Sequence, residues 1–151
     1  MVPGLILAGQ PASTLNVEST AVLGPTASWV STGRVVLPPG LPTEAACGIV
    51  VEPRGGVVDV GRMCVARSHQ SREHAAFIGL MCRLYLVMRE HGFGVACGMM
   101  SAPARALMRV FGLRLEILGP ERAYWNEPRA PVRFSLMSAT RLLAGAERPG
   151  R

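Results

Sequence analysis

The sequence predicts a mixed α/β domain, and three observations carry that expectation. Residues 55–67, GGVVDVGRMCVAR, read as an apolar strand. Runs this apolar are usually central strands covered on both faces. The longest helical pattern in the chain follows, from about Ser71 to His91, and a second apolar run, Phe93 to Met100, comes directly after it. Strand, helix and strand in that order imply a parallel pair joined by a right-handed crossover. Hairpin-like runs on either side imply antiparallel neighbours, so the sheet is mixed.

The first of these strands also carries two charges, Asp59 and Arg62. Burying charge is costly unless it is paired, so an acid and a base in a central strand call for a reason. A functional site is one reason; a structural ion pair between Asp59 and Arg62 or Arg34 is the other. The two residues are three apart, and a strand alternates faces at every step. A regular strand therefore points them opposite ways. They share a site only if a β-bulge lies between them, and Gly61 is where a bulge is easiest.

The other elements follow in order. Residues 1–27 form an irregular N-terminal segment, rich in Pro and Gly at first, with a possible edge strand from Val17 to Leu23. The core runs over residues 28–137. Ser28 to Leu37 has high β-propensity in Trp29, Val30, Thr32, Val35 and Val36, and Gly24 to Ala27 makes a short hairpin connection. Pro38, Pro39, Gly40 and Pro42 break the chain before a short helical turn at Thr43 and Glu44; a second break lies at residues 53–56. Ser71 is a good N-cap for a helix starting at Arg72. Ala76, Phe77, Leu80, Met81, Leu84, Val87 and Met88 repeat at three and four, and Gly92 stands at the helix C′ position. Ser101 caps a short helix with Pro103 in its first turn, closed by Gly112. Leu113 to Leu118 is a strand, residues 119–126 a polar connection, and Ala130 to Met137 a last strand. Residues 138–151 are a C-terminal tail.

The 151 residues make one domain long enough to bury a core. An apolar fraction of 49% argues against disorder. Net charge is +6, and every basic residue is Arg. That excess favours acidic partners. The Arg residues are scattered, without a basic run or a nucleic-acid-binding pattern, so no nucleic-acid partner is expected. Cys47, Cys64, Cys82 and Cys97 are isolated and read as free buried thiols in a reducing compartment, without metal. The apolar start lacks a charged n-region, and no run is long enough to span a bilayer, so a cytoplasmic location is expected.

Three stretches resemble the GNAT acyltransferase superfamily. The likeness is to its branch of acyl-homoserine-lactone synthases, N-acyl amino acid synthases and acyltransferases associated with PEP-CTERM/exosortase systems. Ser31-Thr-Gly-Arg-Val-Val-Leu-Pro resembles that branch's GTVRLVLP strand, with its Arg at Arg34. Leu41-Pro-Thr-Glu-Ala-Ala-Cys resembles its LPIE..C segment. Val58-Asp-Val-Gly-Arg-Met-Cys-Val resembles its E-x-x-R strand, with Asp59 and Arg62 in the acid and Arg positions. Arg109-Val-Phe-Gly-Leu, Leu118-Gly-Pro and residues 124–134 (YWNEPRAPVRF) follow the branch's ending. The likeness covers roughly residues 28–135. The acid is Asp where the branch usually has Glu, and the first thirty residues do not reproduce the helices with which the family begins.

The resemblance implies a mostly antiparallel GNAT-like sheet with helices on both faces. It also implies transfer of an acyl, typically fatty acyl, group from an acyl-carrier-protein or CoA thioester to the amine of an amino acid or similar small acceptor. A catalytically degenerate carrier- or CoA-binding module is the alternative. No tightly bound cofactor is implied, since acyl-CoA or acyl carrier protein is a co-substrate. Asp59 is then the general base and Arg62 its catalytic partner. Arg34 and Arg62 suit an acceptor carboxylate. Backbone N–H groups at Met63, Cys64 and Val65 suit the thioester carbonyl. Arg67, Ser71 and Arg72 suit the pantetheine phosphates. His69 and His74 lie beside that loop as bystanders or acid–base groups. Cys64 offers a nucleophile or a small core residue. Met81, Met88, Met99, Met100 and Met108 line an acyl pocket or fill core. Tyr124 and Trp125 lid the cleft or form an exposed loop.

Overall fold

The computed structural model describes residues 14–23, 26–66 and 75–135. Its strands are β1 (Thr14–Leu23), β2 (Thr26–Val36), β3 (Val57–Val65), β4 (Val95–Met100), β5 (Leu115–Ile117), β6 (Arg122–Tyr124) and β7 (Glu127–Ser135). Its helices are α1 (Pro42–Cys47), α2 (Ala75–Glu90) and α3 (Ala102–Val110). The strands form one seven-stranded sheet in the order β1-β2-β3-β4-β7-β5, with β6 paired to β7. Among these strands only β3 and β4 pair in parallel; the rest of the ladders are antiparallel. The expected β-α-β crossover is therefore the centre of the sheet.

Alternation along the strands sends neighbours to separate cores. Val58 and Val60 of β3, Ala96 of β4, and Val132 and Phe134 of β7 pack with Leu80, Leu84 and Met88 of α2 and Met108 of α3. Phe77 and Phe111 stack with centroids 5.4 Å apart and tie α2 to the end of α3. On the other face Val57 and Cys97 pack with Leu41 and Val51, on either side of α1. Helices thus lie on both faces, with α1 on the face toward which Asp59 points.

Local signals fix the helix ends. Gly92 (φ 81) and Gly112 (φ 79) are left-handed. Phe93 N–H donates to the Met88 carbonyl and Gly92 N–H to that of Arg89, the paired bonds of a Schellman close. Leu113 and Gly112 repeat the arrangement on Met108 and Arg109. Ser101 Oγ accepts from Ala104 N at 3.4 Å, as an N-cap should. The start of α2, with Ser71 as its expected cap, lies outside the described residues. No described helix is long and apolar enough to cross a membrane.

Three expectations change. The polar connection at residues 119–126 contains β6, and β7 starts at Glu127 rather than Ala130. The two form a hairpin in which Tyr124 pairs with Glu127, so Trp125 and Asn126 are its whole loop. Both have positive φ, 54° and 61°, as a type I′ turn requires. Such turns are usually announced by Asn-Gly, and Trp-Asn hides the signal. Second, the thiols are free but not uniformly buried: Cys97 is buried, Cys47 and Cys82 half-buried, and Cys64 exposed. Third, the bulge in β3 is centred on Arg62 rather than Gly61.

The β3–β4 ladder has only three pairs and ends at Asp59 opposite Cys97. One residue further on, a Cβ at Gly98 would lie 2.7 Å from the Val60 carbonyl oxygen. That approach is too close for any side chain, and the obstacle is backbone. Gly98→Ala is expected to force the strands apart and cost about 1–3 kcal/mol, read as a lower midpoint of thermal unfolding. An unchanged midpoint would show that the strands yield freely there.

Candidate functional site

Between β2 and β3, Thr32 lies opposite Cys64 and Arg34 opposite Gly61. Two steps on β2 thus match three on β3, so β3 carries one extra residue. Arg62, with φ 50, takes the left-handed conformation that accommodates it. The extra residue cancels the strand's alternation. Asp59 and Arg62, which a regular strand would part, line the same cleft. Neither of the ion pairs weighed for Asp59 forms: no described salt bridge includes Asp59, Arg34 or Arg62.

The cleft holds about 400 Å³. Asp59, Gly61, Arg62, Met63 and Cys64 supply one wall, Arg34 a second, Pro42 and Thr43 of α1 a third, and Met99, Tyr124, Trp125 and Arg129 the remainder. It opens where β3 keeps its partner β2 but has lost β4. Of the residues expected to bind substrate, Arg34, Met63 and Cys64 are in the lining; Val65 pairs with Ser31 and is not. Cys64 is thus a cleft residue, not core. Met88, Met100 and Met108 are core, Met81 packs against it, and Met99 alone of the five methionines faces the cleft. Arg67, His69, Ser71, Arg72 and His74 lie outside the described residues.

Asp59 is 4% exposed. Its Oδ2 accepts from Thr43 N at 2.7 Å and lies 3.7 Å from the Cys97 thiol, which donates to it. The first contact has a local cause. Leu41 at the N-cap of α1 has no side chain that can accept a hydrogen bond, and Pro42 supplies no donor, so Thr43 N–H is the first donor of the helix left without an intrahelical partner. Asp59, reaching over from β3, caps it. Burial pushes the Asp59 carboxyl above its ordinary value; the Thr43 hydroxyl, then the Thr43 N–H, the Cys97 thiol and the Arg34 charge oppose that shift. Burial, and then the Asp59 charge, push the Cys97 thiol up as well, so it stays protonated.

One buried polar atom on the walls, Arg34 Nε, has no hydrogen-bond partner. Such atoms are rare in folded proteins. Arg62 stacks on Trp125, its guanidinium carbon 4.9 Å from the ring centroid. Arg129 lies over Tyr124 at 5.8 Å and pairs with Glu127 at 2.7 Å. The left-handed backbone costs Arg62 and Trp125 about 1–3 kcal/mol each. The cleft thus brings two guanidinium groups, whose donors suit an anion, to the same lining as the Asp59 carboxyl. Among the described residues no group of three His, Cys, Asp or Glu could hold a metal ion.

Sequence reasoning missed Thr43 and Cys97 beside Asp59, and Arg129. Thr43 lay inside the LPTEAAC resemblance but carried no pattern of its own. Its contact with Asp59 depends on how α1 folds over the sheet.

No family model and no curated protein sequence matches the chain. Solved structures do. The CoA-dependent acyl-homoserine lactone synthase BjaI, solved with SAM and isopentyl-CoA, matches 96% of this chain and 70% of its own with TM-score 0.69 and 15% identity. MesI, another CoA-dependent acyl-homoserine lactone synthase, matches 97% and 75% with TM-score 0.68 and 19% identity. FeeM, an N-acyl amino acid synthase from uncultured soil microbes, matches 83% and 68% with TM-score 0.55 and 12% identity. The chain has the fold of these GNAT-like acyltransferases, as the ordered set of short motifs implied.

Proposed function

We propose that the protein is an N-acyltransferase. It moves a fatty acyl group from an acyl-carrier-protein or CoA thioester to the amine of an amino acid or similar small acceptor. The observation that carries this is the bulge at Arg62, which brings Asp59, Arg34 and Arg62 to one cleft beside the open edge of β3. The acceptor carboxylate docks on Arg34 and Arg62, whose guanidiniums match a carboxylate's two oxygens. Thr43 and Cys97 both hold Oδ2 of Asp59, so Oδ1 takes the amine proton, directly or through water. Backbone N–H groups at Met63 and Cys64, beyond the end of the β4 ladder, donate to the thioester carbonyl oxygen as charge develops on it. The tetrahedral adduct expels the thiolate, which receives the proton. The products are an amide and a free thiol, and every atom of the donor and acceptor is accounted for.

Arg67, Ser71 and Arg72 receive the phosphates of the pantetheine arm. An acidic carrier protein suits the +6 chain, and free thiols suit the cytoplasm. Incubating the protein with acyl carrier protein or acyl-CoA thioesters and a pool of amines, amino acids and SAM included, should give N-acyl products by mass spectrometry. No product and no thioester binding would overturn the reading.

A buried base has a pH signature. Since Asp59 must be ionised to accept a proton and its carboxyl is pushed up, kcat/KM should fall on the acid side with a limb above the ordinary 3.8. A pH–rate profile checks this, and a limb at or below 3.8 would remove Asp59 from the role. A second reading, a thioester-binding module without turnover, draws on the cap that Asp59 provides to α1. It expects donor binding that survives Asp59→Ala.

A further inference from the structure

Among the described residues, three non-glycine residues have a left-handed backbone: Arg62, Trp125 and Asn126. They come from separate strands and turns, yet Arg62 and Trp125 meet in the lining of one cleft, with Asn126 next in the chain. Strain held in two touching elements at one mouth is a mark of function rather than of folding economy. A glycine at position 125 would form the same turn at no steric cost. The chain instead places its bulkiest side chain there and leaves it 63% exposed.

The two stacked arginines of the cleft differ in an instructive way. Arg129, over Tyr124, is neutralised by Glu127. Arg62, over Trp125, has no described ion pair. Contact with a ring face engages the cation's charge without using up its hydrogen-bond donors. Arg62, itself exposed, therefore rests against the indole with its hydrogen-bond donors still free to bind an anion. A donor fork held in place before the ligand arrives spares the ordering cost that a free Arg side chain pays on binding.

We propose that Trp125 is a positioning residue for Arg62: its indole fixes the guanidinium at the cleft mouth so that an acceptor's carboxylate docks on a preset fork. Trp125 thereby makes the site select carboxylate-bearing amines over their neutral analogues. This deepens the acceptor reading above and rests on it. Trp125 touches no reacting atom; it acts through Arg62.

The test is equilibrium calorimetry on the full chain, with the tightest binder among the common α-amino acids and with the carboxamide of that same amino acid. Thermal unfolding is followed in parallel. Trp125→Gly should weaken the acid by roughly two- to fivefold, the worth of an exposed contact between a cation and a ring face, and leave the amide unchanged. The unfolding midpoint should stay unchanged or rise, because glycine relieves the turn. Trp125→Phe should keep most of the acid's affinity. Asn126→Gly, at the other turn position, should raise the midpoint and leave both affinities alone. Equal losses for acid and amide, unchanged binding of the acid, or a lowered midpoint together with lost binding in Trp125→Gly would each overturn the proposal. If the acid–amide difference appears and no acyl product is ever formed, transfer is wrong and the positioning of Arg62 stands. If no amino acid binds the unaltered protein, the positioning of Arg62 for a carboxylate fails, and product formation in the transfer assay decides the reading above separately.

Discussion

Asp59→Asn is expected to remove most acyl transfer, roughly 10²–10⁴-fold in kcat, while leaving the protein folded and at least as stable at neutral pH. Asn keeps an oxygen to accept from Thr43 N–H, so the first turn of α1 stays capped. What it loses is the ability to take a proton. The stability sign follows from the direction of the pKa. Burial raises the Asp59 carboxyl above 3.8 in the folded state. The fold therefore favours the protonated form, and that contribution is full below the unfolded value. It is lost as pH rises through the higher folded value. Asn stays neutral throughout and suffers no such loss, so its unfolding midpoint relative to the parent should improve from acid to neutral pH. Asp59→Ala differs: it strips the buried Thr43 donor of its partner, at a cost of about 1–3 kcal/mol. Rate assays with paired unfolding curves across pH check the whole set. An Asn variant that retains the parent rate would leave Asp59 as a helix cap and nothing more.

The parts of this molecule that were legible in the sequence are those set by local rules. Gly92 and Gly112 close their helices because a left-handed C′ residue favours glycine, and Ser101 caps α3 with its own hydroxyl. The β3-α2-β4 crossover followed from two apolar runs around one periodic helix. The need for a bulge was legible too, since Asp59 and Arg62 can share a face only if alternation fails once. Its position was not: the left-handed residue is Arg62, where glycine would be the local choice, and only the pairing with β2 shows it. The β6–β7 hairpin escaped for a similar reason, because Trp-Asn occupies a turn normally built from Asn and Gly. Contacts spanning the fold were out of reach. Thr43 with Asp59, and Trp125 with Arg62, join elements distant in sequence, and no periodicity announces them.

Arg34 carries the other large effect, and two substitutions separate its two roles. Its partner across the sheet is Gly61, which places it on the Asp59 side of β2 and β3. Its Nε is buried without a partner, and its charge draws the Asp59 carboxyl down against the stronger upward push of burial. Arg34→Met should raise the acceptor KM roughly 10- to 100-fold, the scale of a lost charge-assisted hydrogen bond. It should also move the acid limb of kcat/KM to higher pH, because burial then acts on Asp59 unopposed by that charge. Stability should hold or improve, since a cation with a buried, unpaired nitrogen gives way to an apolar side chain of similar reach. Arg34→Lys keeps the charge and loses the planar fork. Its acid limb should stay near the parent's while the acceptor KM still rises. A limb that shifts equally in both variants would mean that Asp59 responds to packing rather than to charge. A KM unchanged in both would make Arg34 part of the wall and leave the acceptor carboxylate to Arg62 alone.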